Sequence, residues 1–434
     1  MNIDDIINSI DSNNLDIAFG RVVNISAVTL SAVGLDVAVG DIVRIESVQK
    51  LYTVLGMVTV LNDDMFVIVP FSFIDGFKIN DKVFLQRDGL TVKCGNGLLG
   101  RVVNALGEPI DDLGKIRDLD TNAPINKESM SPLDRGIIDK KFATGVKAID
   151  SMLTCGKGQK VGIFAGSGVG KSTLMGMIVQ GCEATIKVIA LVGERGREIP
   201  EFIHYNLNNN LENTVIVTAT SDESPLMRKY AAFTAMTIAE YFRDKGYDVL
   251  LMMDSVTRFA MAQREIGLST GEPPVSRGYP PSVFALLPQL MERAGNSKKG
   301  SITAFFTVLV DGDDLNDPIA DQSRSILDGH IVLTRDLTEQ GFYPPINILK
   351  SASRVIDKVV TKEHYNDFLK LKRVLSLIKE NEVLIRVGAY KKGMDLELDS
   401  AIAKKEKARE FLTQGTLEKY SFDEIVANLR KVLI

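Results

Sequence analysis

The stretch FAGSGVGKST, residues 164–173, follows an apolar run and precedes a segment with the pattern of a helix. Its three glycines let the backbone turn tightly, so that successive N–H groups can approach an anion. The N-terminus of the helix that follows the loop adds the positive end of its dipole at the same place. A strand, a glycine-rich turn, Lys171-Ser172 and a helix together make the P-loop pattern, which predicts a phosphate-binding site.

The positions within this loop have separate predicted roles. Lys171 is expected to reach the β- and γ-phosphates of a nucleoside triphosphate, and the Ser172 hydroxyl is placed to ligate Mg²⁺. Ala165 replaces a consensus glycine, and its methyl fits if the residue still ends the strand with a negative φ. A flexible glycine-rich turn is the simpler alternative. The predicted nucleotide contacts are Ala165, Gly166, Ser167, Gly168, Val169, Gly170, Lys171, Ser172 and Thr173.

Three regions of the chain differ in pattern. Residues 1–90 contain short β-like runs broken by Gly, Asn and Asp, which predict a small barrel or sandwich. In residues 91–355, nearly continuous apolar runs such as TVIVTAT (214–220) alternate with helical stretches, which predicts an α/β fold with a mainly parallel sheet. The clearest of these helices is predicted to begin at Ser224-Pro225, a favourable cap and first-turn pair. Residues 356–434 carry apolar residues at three- and four-residue spacing between many charges, a pattern typical of helices.

Acidic residues follow two of the apolar runs in the middle region. Asp254 ends DVLLMMD (248–254), and an acid at the carboxyl end of a buried parallel strand faces the ligand crevice. We expect it to hold Mg²⁺ through water, although a helix cap is an alternative. In GERGRE (193–198), Glu194 is the candidate that orients the attacking water, and Glu198 is a candidate for the magnesium water shell. A surface salt-bridge cluster is the alternative there.

Composition excludes several classes of protein. The formal net charge of −5 argues against a general nucleic-acid binder. Three widely spaced cysteines suggest neither a disulfide framework nor a zinc site. The N-terminus is acidic and lacks the pattern of a signal peptide, and no apolar run is long enough for a transmembrane helix. These features predict a cytoplasmic protein.

Several motifs in order along the chain resemble the catalytic subunits of the rotary ATPase family. They are AGSGVGKST, GERGREIPEF, LLMMDSVTRFAMAQREIG, GEPPVSRGYPPSVFALLPQLMERAG and PPINILKSASR. The similarity covers roughly residues 20–434. It implies an N-terminal β-barrel (1–90), a RecA-like P-loop domain with a mainly parallel sheet (91–355) and a C-terminal helical domain (356–434).

The resemblance also implies roles for individual residues. Glu194 matches the catalytic glutamate of the family, and Arg195 matches its neighbour. Arg258 matches an arginine near the γ-phosphate, and Tyr343 in GFYPP matches the aromatic residue that stacks on adenine. Phe411 is either a second aromatic residue of the adenine pocket or part of a helix core.

Arg354, at the end of KSASR, is unremarkable from spacing alone. The resemblance matches it to the arginine finger, which reaches the γ-phosphate bound by the neighbouring subunit. One chain then holds both the P-loop and the finger, whereas rotary synthases divide these between two kinds of chain. The sequence therefore predicts a homohexamer.

The C-terminal region indicates which branch of the family the chain resembles. The acidic DELSEED-type segment of synthase β-subunits is absent, and LIKENEVLIRVGAYKKGMDLELDSAI (377–402) resembles the type III secretion ATPases, especially the flagellar branch. That branch implies ATP and Mg²⁺ as cofactors and a role in chaperone release and in delivery of unfolded chains for export. Implied partners are further copies of the chain, a stator-like regulatory protein, a coiled-coil stalk protein, an export-gate membrane protein, export chaperones and substrates. The location implied is peripheral, at the membrane-embedded export apparatus.

Three other functions remain as alternatives. The first is the catalytic β-type subunit of an ion-translocating ATP synthase. The second is a Rho-like RNA translocase, which needs nucleic acid on its barrel. The N-terminal region is expected to lack a basic–aromatic cluster, because GRVVNISAVTLSAVGLDVAVGD has one arginine and no aromatic residue, so no nucleic-acid partner is predicted. The third is a nucleotide-binding scaffold without turnover, against which the combination of Glu194, Asp254 and Arg354 argues. The segment MNIDDIINSIDSNNLDIAF is either a partner-binding segment or a frayed terminus.

Overall fold

The computed structural model describes residues 18–47, 52–310 and 314–434. The predicted N-terminal partner-binding segment lies almost wholly outside these residues. The described residues form two compact units: the first contains the described residues up to 91 together with 223–227 and 262–282, and the second contains the remainder. The boundaries expected at residues 90 and 355 stay a prediction.

The first unit is built on a closed six-stranded barrel with the strand order β1-β2-β5-β4-β3-β6. Neighbouring strands are antiparallel, and β6 pairs with β1 to close the barrel. Alternate side chains, including Val22, Val43, Ile45 and Val83, fill the interior. The expectation of a barrel is confirmed. Its strands are β1 (Phe19–Ile25), β2 (Leu30–Val33), β3 (Ile42–Glu46), β4 (Thr53–Leu61), β5 (Phe66–Pro70) and β6 (Lys82–Gln86).

The outer face of this barrel carries a basic–aromatic cluster that was not predicted from the sequence. The rings of Phe19 and Phe84 lie 5.9 Å apart on paired strands. Lys82 Nζ lies 4.8 Å from the Phe19 ring centre, and Arg44 Cζ lies 4.8 Å from that of Phe84. The expectation that the barrel lacks a basic–aromatic cluster was wrong, because these residues meet only across strands that are far apart in sequence.

The second unit is organised by a mostly parallel sheet with the order β19-β18-β12-β17-β15-β13-β14-β8. β12 and its neighbour β17 are buried on both faces, which explains their continuous apolar sequences. The predicted parallel sheet is confirmed. Its strands are β8 (Val102–Val103), β12 (Lys160–Ala165), β13 (Ile186–Glu194), β14 (Thr214–Thr220), β15 (Asp248–Asp254), β16 (Gly295–Asn296), β17 (Ser301–Leu309), β18 (Gly329–Val332) and β19 (Ala352–Ser353). Two small ribbons pair β7 (Thr91–Cys94) with β9 (Thr121–Pro124) and β10 (Lys141–Phe142) with β11 (Cys155–Gly156).

Helices connect these strands and form the C-terminal region. Ser224 Oγ accepts the N–H of Met227 at 3.2 Å, and Pro225 follows it, as the sequence predicted for the start of the long helix after β14. The helices of the middle region are α1 (Lys147–Met152), α2 (Lys171–Gly181), α3 (Glu198–Glu201), α4 (Pro225–Asp244), α5 (Val256–Ser269), α6 (Pro281–Met291), α7 (Pro318–Ile326) and α8 (Arg335–Glu339).

The C-terminal region is helical, as predicted. Its three longest helices have side-chain caps: Thr361 accepts one backbone N–H of the first turn, Asp395 accepts two, and Ser421 and Glu424 form a capping box. Within the described residues, no helix is long and apolar enough to cross a membrane. The helices are α9 (Ile356–Val359), α10 (Lys362–Glu380), α11 (Glu382–Arg386), α12 (Leu396–Leu412) and α13 (Phe422–Leu433).

Candidate nucleotide site

The glycine-rich loop connects β12 to α2 at the carboxyl edge of the parallel sheet. Gly168 and Gly170 adopt φ values of 75° and 100°, in the left-handed region that favours glycine. Gly170 is the N-cap of α2, so the start of this helix faces the loop. Ala165 is the last residue of β12, where an extended backbone accommodates its methyl group. The loop thus forms an anion cradle without a glycine at position 165.

Lys171 joins two acidic residues that arrive from other strands. Its Nζ lies 2.5 Å from Asp254 Oδ1 and 3.5 Å from Glu194 Oε1. All three side chains are largely buried. They meet because β12, β15 and β13 are parallel, so that their carboxyl ends lie along one edge of the sheet. The sequence motifs that suggested Lys171, Glu194 and Asp254 separately therefore form one cluster.

Thr307 on β17 completes this cluster and was missed in the sequence. β17 lies between β12 and β15, and Thr307 Oγ1 donates a hydrogen bond of 2.6 Å to Asp254 Oδ1. The residue is fully buried. A hydroxyl within the apolar run SITAFFTVLV is the signal in the sequence, but only the strand order shows which acid it contacts.

The electrostatics of the cluster favour a charged lysine and a partly protonated glutamate. Burial opposes the charge of Lys171, but Asp254 and Glu194 outweigh it and hold the lysine pKa above its usual value. Burial raises the pKa of Glu194 to about 7; Lys171 opposes this rise, and the charge of Asp254 adds to it. Glu194 is therefore a carboxyl group that can change its protonation state near neutral pH.

Glu198 and Arg195 lie at the rim of this site. Glu198, at the start of α3, is close enough to Glu194 to contribute to its raised pKa. The guanidinium of Arg195 is 70% exposed, and its NH1 lies 3.7 Å from Glu198 Oε1. The structure therefore places Glu198 beside the cluster, whereas Arg195 faces solvent.

Arg258, in the first turn of α5, packs against the strand end that carries Glu194. A Cβ added to Gly193 would lie 2.9 Å from Arg258 Cβ, and Gly193 has φ +70°, so only glycine permits this approach. Arg258 NH1 lies 3.8 Å from Met261 Sδ, and its buried Nε has no hydrogen-bond partner in the part of the chain described. A buried donor without a partner is a group that an anionic ligand can satisfy.

The P-loop helix is also held from the segment that follows α3. Asn206 Nδ2 donates to the backbone oxygen of Ser172 at 2.6 Å, and Gln180 Nε2 donates to the backbone oxygen of Asn206. The Ser172 side chain remains exposed. Asn206 was not predicted, because it is one of several asparagines in NLNNN (206–210) and no pattern distinguishes it from the others.

Tyr343 lies beside Gly170, the last glycine of the loop. A Cβ added to Gly170 would lie 3.3 Å from Tyr343 Cε1, which places the ring beside the start of α2. The ring is partly exposed, whereas Phe411 is buried in the hydrophobic core of the second unit. Thr338 Oγ1 and Arg335 NH2 donate to backbone oxygens of Val169 and Ser167. These contacts hold the loop from the side of Tyr343.

Arg354 lies at the other edge of the sheet. It follows β19, and its N–H donates to the backbone oxygen of Asp328, whose own N–H donates to Lys160 at the beginning of β12. The six residues of β12 span about 20 Å between this edge and the P-loop. The Arg354 side chain is exposed, and its NH2 makes a hydrogen bond of 3.4 Å to the backbone oxygen of Arg324. The structure therefore does not bring Arg354 to the P-loop of its own chain.

A phosphate cradle with a buried lysine and two acids, at the carboxyl edge of a mostly parallel sheet, defines a P-loop nucleoside triphosphatase. Comparison with known proteins identifies the family within this class. The nucleotide-binding domain of the ATP synthase alpha/beta family matches residues 145–353, and the C-terminal domain of the type III secretion ATPase EscN matches residues 360–431.

Individual relatives are similar over nearly the whole chain. The flagellum-specific ATP synthase of Helicobacter pylori (strain J99) is 57% identical, over 96% of this chain and 95% of the relative. The assembled ATPase EscN from the type III secretion system of enteropathogenic E. coli has a TM-score of 0.91 at 45% identity, over 96% of this chain and 100% of that chain. EscN in complex with its central stalk EscO has a TM-score of 0.89 at 44% identity, with the same coverage. The chain belongs to the ATP synthase alpha/beta family, in the branch of the flagellar and type III secretion ATPases.

Proposed function

We propose that this chain hydrolyses ATP to power or assist flagellar or type III protein export. The observation that carries the proposal is the cluster of Lys171, Asp254 and Glu194 at a phosphate cradle, in a chain 57% identical to a flagellum-specific ATP synthase. The cluster supplies what hydrolysis needs: a cation for the phosphates, an acid for the metal and a carboxylate that can orient water.

The residues at the cradle fit Mg²⁺ bound together with a nucleotide. Mg²⁺ in such sites takes one or two carboxylates, a hydroxyl, phosphate oxygens and water. The Ser172 hydroxyl is exposed beside the cradle, Asp254 points to it, and Glu198 lies at its rim. Bound Mg²⁺ would supply charge neutralisation of the phosphates.

Lys171 has two tasks in this proposal. Without nucleotide, its ammonium neutralises Asp254 and Glu194. With nucleotide, the same ammonium turns to the β- and γ-phosphate oxygens, and Glu194 is free to orient a water molecule for in-line attack. Arg258, whose Nε lacks a partner, lies near enough to Gly193 to add a donor on the γ-phosphate side. Tyr343 would stack on the adenine.

Arg354 must act on a neighbouring chain if it acts on ATP at all, since it lies at the edge of the sheet opposite its own P-loop. An arginine finger that acts in trans stabilises the negative charge of the transition state, and this raises kcat by about 10³–10⁵-fold. A ring of identical chains then supplies each site with both halves. A homohexamer is our proposal, supported by the assembled state of the similar EscN.

A mixing experiment tests this arrangement. Lys171→Ala and Arg354→Ala proteins are each expected to be inactive, whereas mixed rings contain some interfaces with an intact P-loop and an intact finger. Recovery of ATPase activity on mixing is the expected result. Verified mixed rings without activity would reject action in trans.

The proposed partners follow from the family. EscN forms a complex with its central stalk EscO, and we propose a coiled-coil stalk partner here as well. Exposed apolar side chains at Val383, Val387, Met394 and Leu396, around the connection between α11 and α12, provide a surface for it. A stator-like regulator, an export-gate membrane protein, and export chaperones and substrates complete the proposal, with a cytoplasmic position at the export apparatus.

Deletion of the gene, followed by motility and secretion assays, tests the export role. Loss of flagella and of secreted flagellar proteins is expected, and normal flagella would reject the flagellar function. Complementation with Glu194→Gln separates catalysis from scaffolding, since full rescue would show that Glu194 is not essential.

The RNA translocase is kept as a second candidate because of the barrel cluster of Phe19, Phe84, Arg44 and Lys82. Single-stranded RNA is expected to leave the ATPase rate unchanged. Strong stimulation that is lost in Phe84→Ala would favour the translocase instead.

A further inference from the structure

Gln414 occupies a buried position between α12 and α13 that the nucleotide site as described does not use. The residue is 3% exposed. Its backbone N–H donates to the backbone oxygen of Tyr343 at 2.8 Å. Its side chain makes three further hydrogen bonds to backbone groups from two other segments. This one residue therefore joins the base side of the site to segments that are distant in sequence.

The side-chain contacts require an amide. Oε1 accepts the N–H of Lys147 at 2.8 Å, and Nε2 donates to the backbone oxygens of Gly145 and Glu418, both at 2.9 Å. Both N–H groups of the amide have acceptors, and the oxygen has a donor. A carboxylate of the same shape would place an oxygen against two carbonyl oxygens. Glutamine fits this position and glutamate does not.

The segments joined by Gln414 border the nucleotide site on two sides. Gly145 lies against Gly181, the last residue of the P-loop helix α2, since a Cβ added to Gly145 would be 3.0 Å from Gly181 Cα. Tyr343 lies beside Gly170 at the other end of the same helix. Gln414 itself follows α12, whose last turn carries the buried Phe411. The amide thus holds the end of α12 to the segment beside Gly181 at one end of α2, and the backbone N–H of the same residue holds Tyr343 at the other end.

We propose that Gln414 is a positioning residue for base binding: it holds Tyr343 and the end of α12 at the separation that an adenine ring requires. The inference rests on the proposed function in placing adenine at Tyr343. The phosphate contacts come from the loop and from Lys171, which Gln414 does not touch. Loss of the amide is expected to weaken recognition of the base and to leave recognition of the phosphates intact.

The test compares two ligands on the full chain in the presence of Mg²⁺: ATP, and inorganic triphosphate, which has no base. The variant is Gln414→Met, which keeps most of the side-chain volume and the backbone hydrogen bond to Tyr343, and removes the three side-chain hydrogen bonds that anchor this residue. Its Kd and KM for ATP are expected to rise about tenfold, the effect of one lost interaction of ordinary strength, with kcat within twofold. The Kd for triphosphate, measured by calorimetry, is expected to stay unchanged. Gln414→Glu should behave like Gln414→Met.

Controls separate this proposal from its assumptions. Thr413→Ala changes the neighbouring residue, whose hydroxyl bonds only to Arg409 of its own helix among the contacts described, and should leave both ligands unaffected. Equal weakening of ATP and triphosphate in Gln414→Met, or no change in either, would overturn the positioning role. If the Tyr343→Ala variant binds ATP with the affinity of the wild type, the placement of adenine at Tyr343 is wrong, whatever Gln414 does. Lys171→Ala that binds triphosphate normally would overturn the phosphate site, and with it the proposed function.

Discussion

The two edges of the central sheet differ in how their charges are compensated. At the carboxyl edge, Lys171, Asp254 and Glu194 compensate one another within the chain. At the opposite edge, Arg354 is exposed, and a 3.4 Å contact to a backbone oxygen holds its guanidinium. The first edge has charges that stabilise the fold and that we propose for catalysis, whereas the second keeps an exposed cation that contributes little to folding. Substitutions at the two edges should therefore separate stability from activity.

The largest effect is expected for Lys171→Ala. The variant loses the cation for the phosphates and leaves the two buried carboxylates of Asp254 and Glu194 without the positive charge that compensates them. We expect ATPase activity to fall to the assay background, and the free energy of unfolding to fall by about 3 kcal/mol, the scale of a broken buried pair. Steady-state kinetics and urea unfolding measure both. Lys171→Arg is the control, since it keeps the positive charge and should keep most of the stability; equal stability of Lys171→Ala and wild type would contradict the comparison.

Arg354→Ala should affect activity alone. We expect kcat to fall by about 10³-fold, at the lower end of the range for an arginine finger, because the transition state loses a cation. The melting temperature should stay within about 1 °C of wild type, because an exposed side chain with one weak contact contributes little to stability. Arg324→Ala, which removes a neighbouring guanidinium on the same edge, is the matched control and should retain activity. A large drop in melting temperature for Arg354→Ala would show that this edge is structural.

Glu194→Gln is expected to lower kcat and to raise the free energy of unfolding at pH 8. The loss in kcat should be about 10²–10³-fold, as for removal of a general base. The folded-state pKa of Glu194 is raised from 4.5 to about 7, so the folded state binds more protons than the unfolded state between these values. The contribution of Glu194 to stability is therefore present at low pH and is lost as pH rises through about 7.

The glutamine variant should consequently be more stable than wild type at pH 8, by on the order of 1 kcal/mol, and not at pH 4.5. The kcat/KM of the wild type should fall as pH drops below about 7, because protonated Glu194 cannot orient water, and this fall should be absent in the residual activity of the variant. Denaturant unfolding at both pH values and a pH–rate profile check these outcomes. A wild-type profile that is flat from pH 8 to pH 5.5 would reject the assignment of Glu194.

The smallest effect is expected for Thr307→Val, which removes the hydroxyl that orients Asp254 and keeps the side-chain shape. We expect the Mg²⁺ concentration for half-maximal activity to rise about three- to tenfold, the scale of one hydrogen bond to a charged group. Thr307→Ser retains the hydroxyl and should remain near wild type. If valine and serine variants behave alike, the hydroxyl does not orient the metal-binding carboxylate.

Local sequence patterns, such as apolar runs and helix caps, predicted much of the fold. The runs 214–220 and 248–254 coincide with β14 and β15, because strands buried on both faces leave continuous apolar sequences. The start of α4 at Pro225 followed from its cap. The barrel cluster around Phe19 and Phe84 was missed, because pairing between distant strands leaves no local pattern.

The sequence by itself determined the phosphate cradle and the chemical types around it, since glycines, Lys171 and Ser172 at fixed spacing have few other uses. Only the tertiary structure decided that Lys171 contacts Asp254 and Glu194, that Thr307 orients Asp254, and that Arg354 lies at the far edge. The physical reason is the strand order: β12, β17, β15 and β13 are neighbours in the sheet but not in the chain. Hydrogen bonding between parallel strands brings together residues that no spacing in the sequence relates.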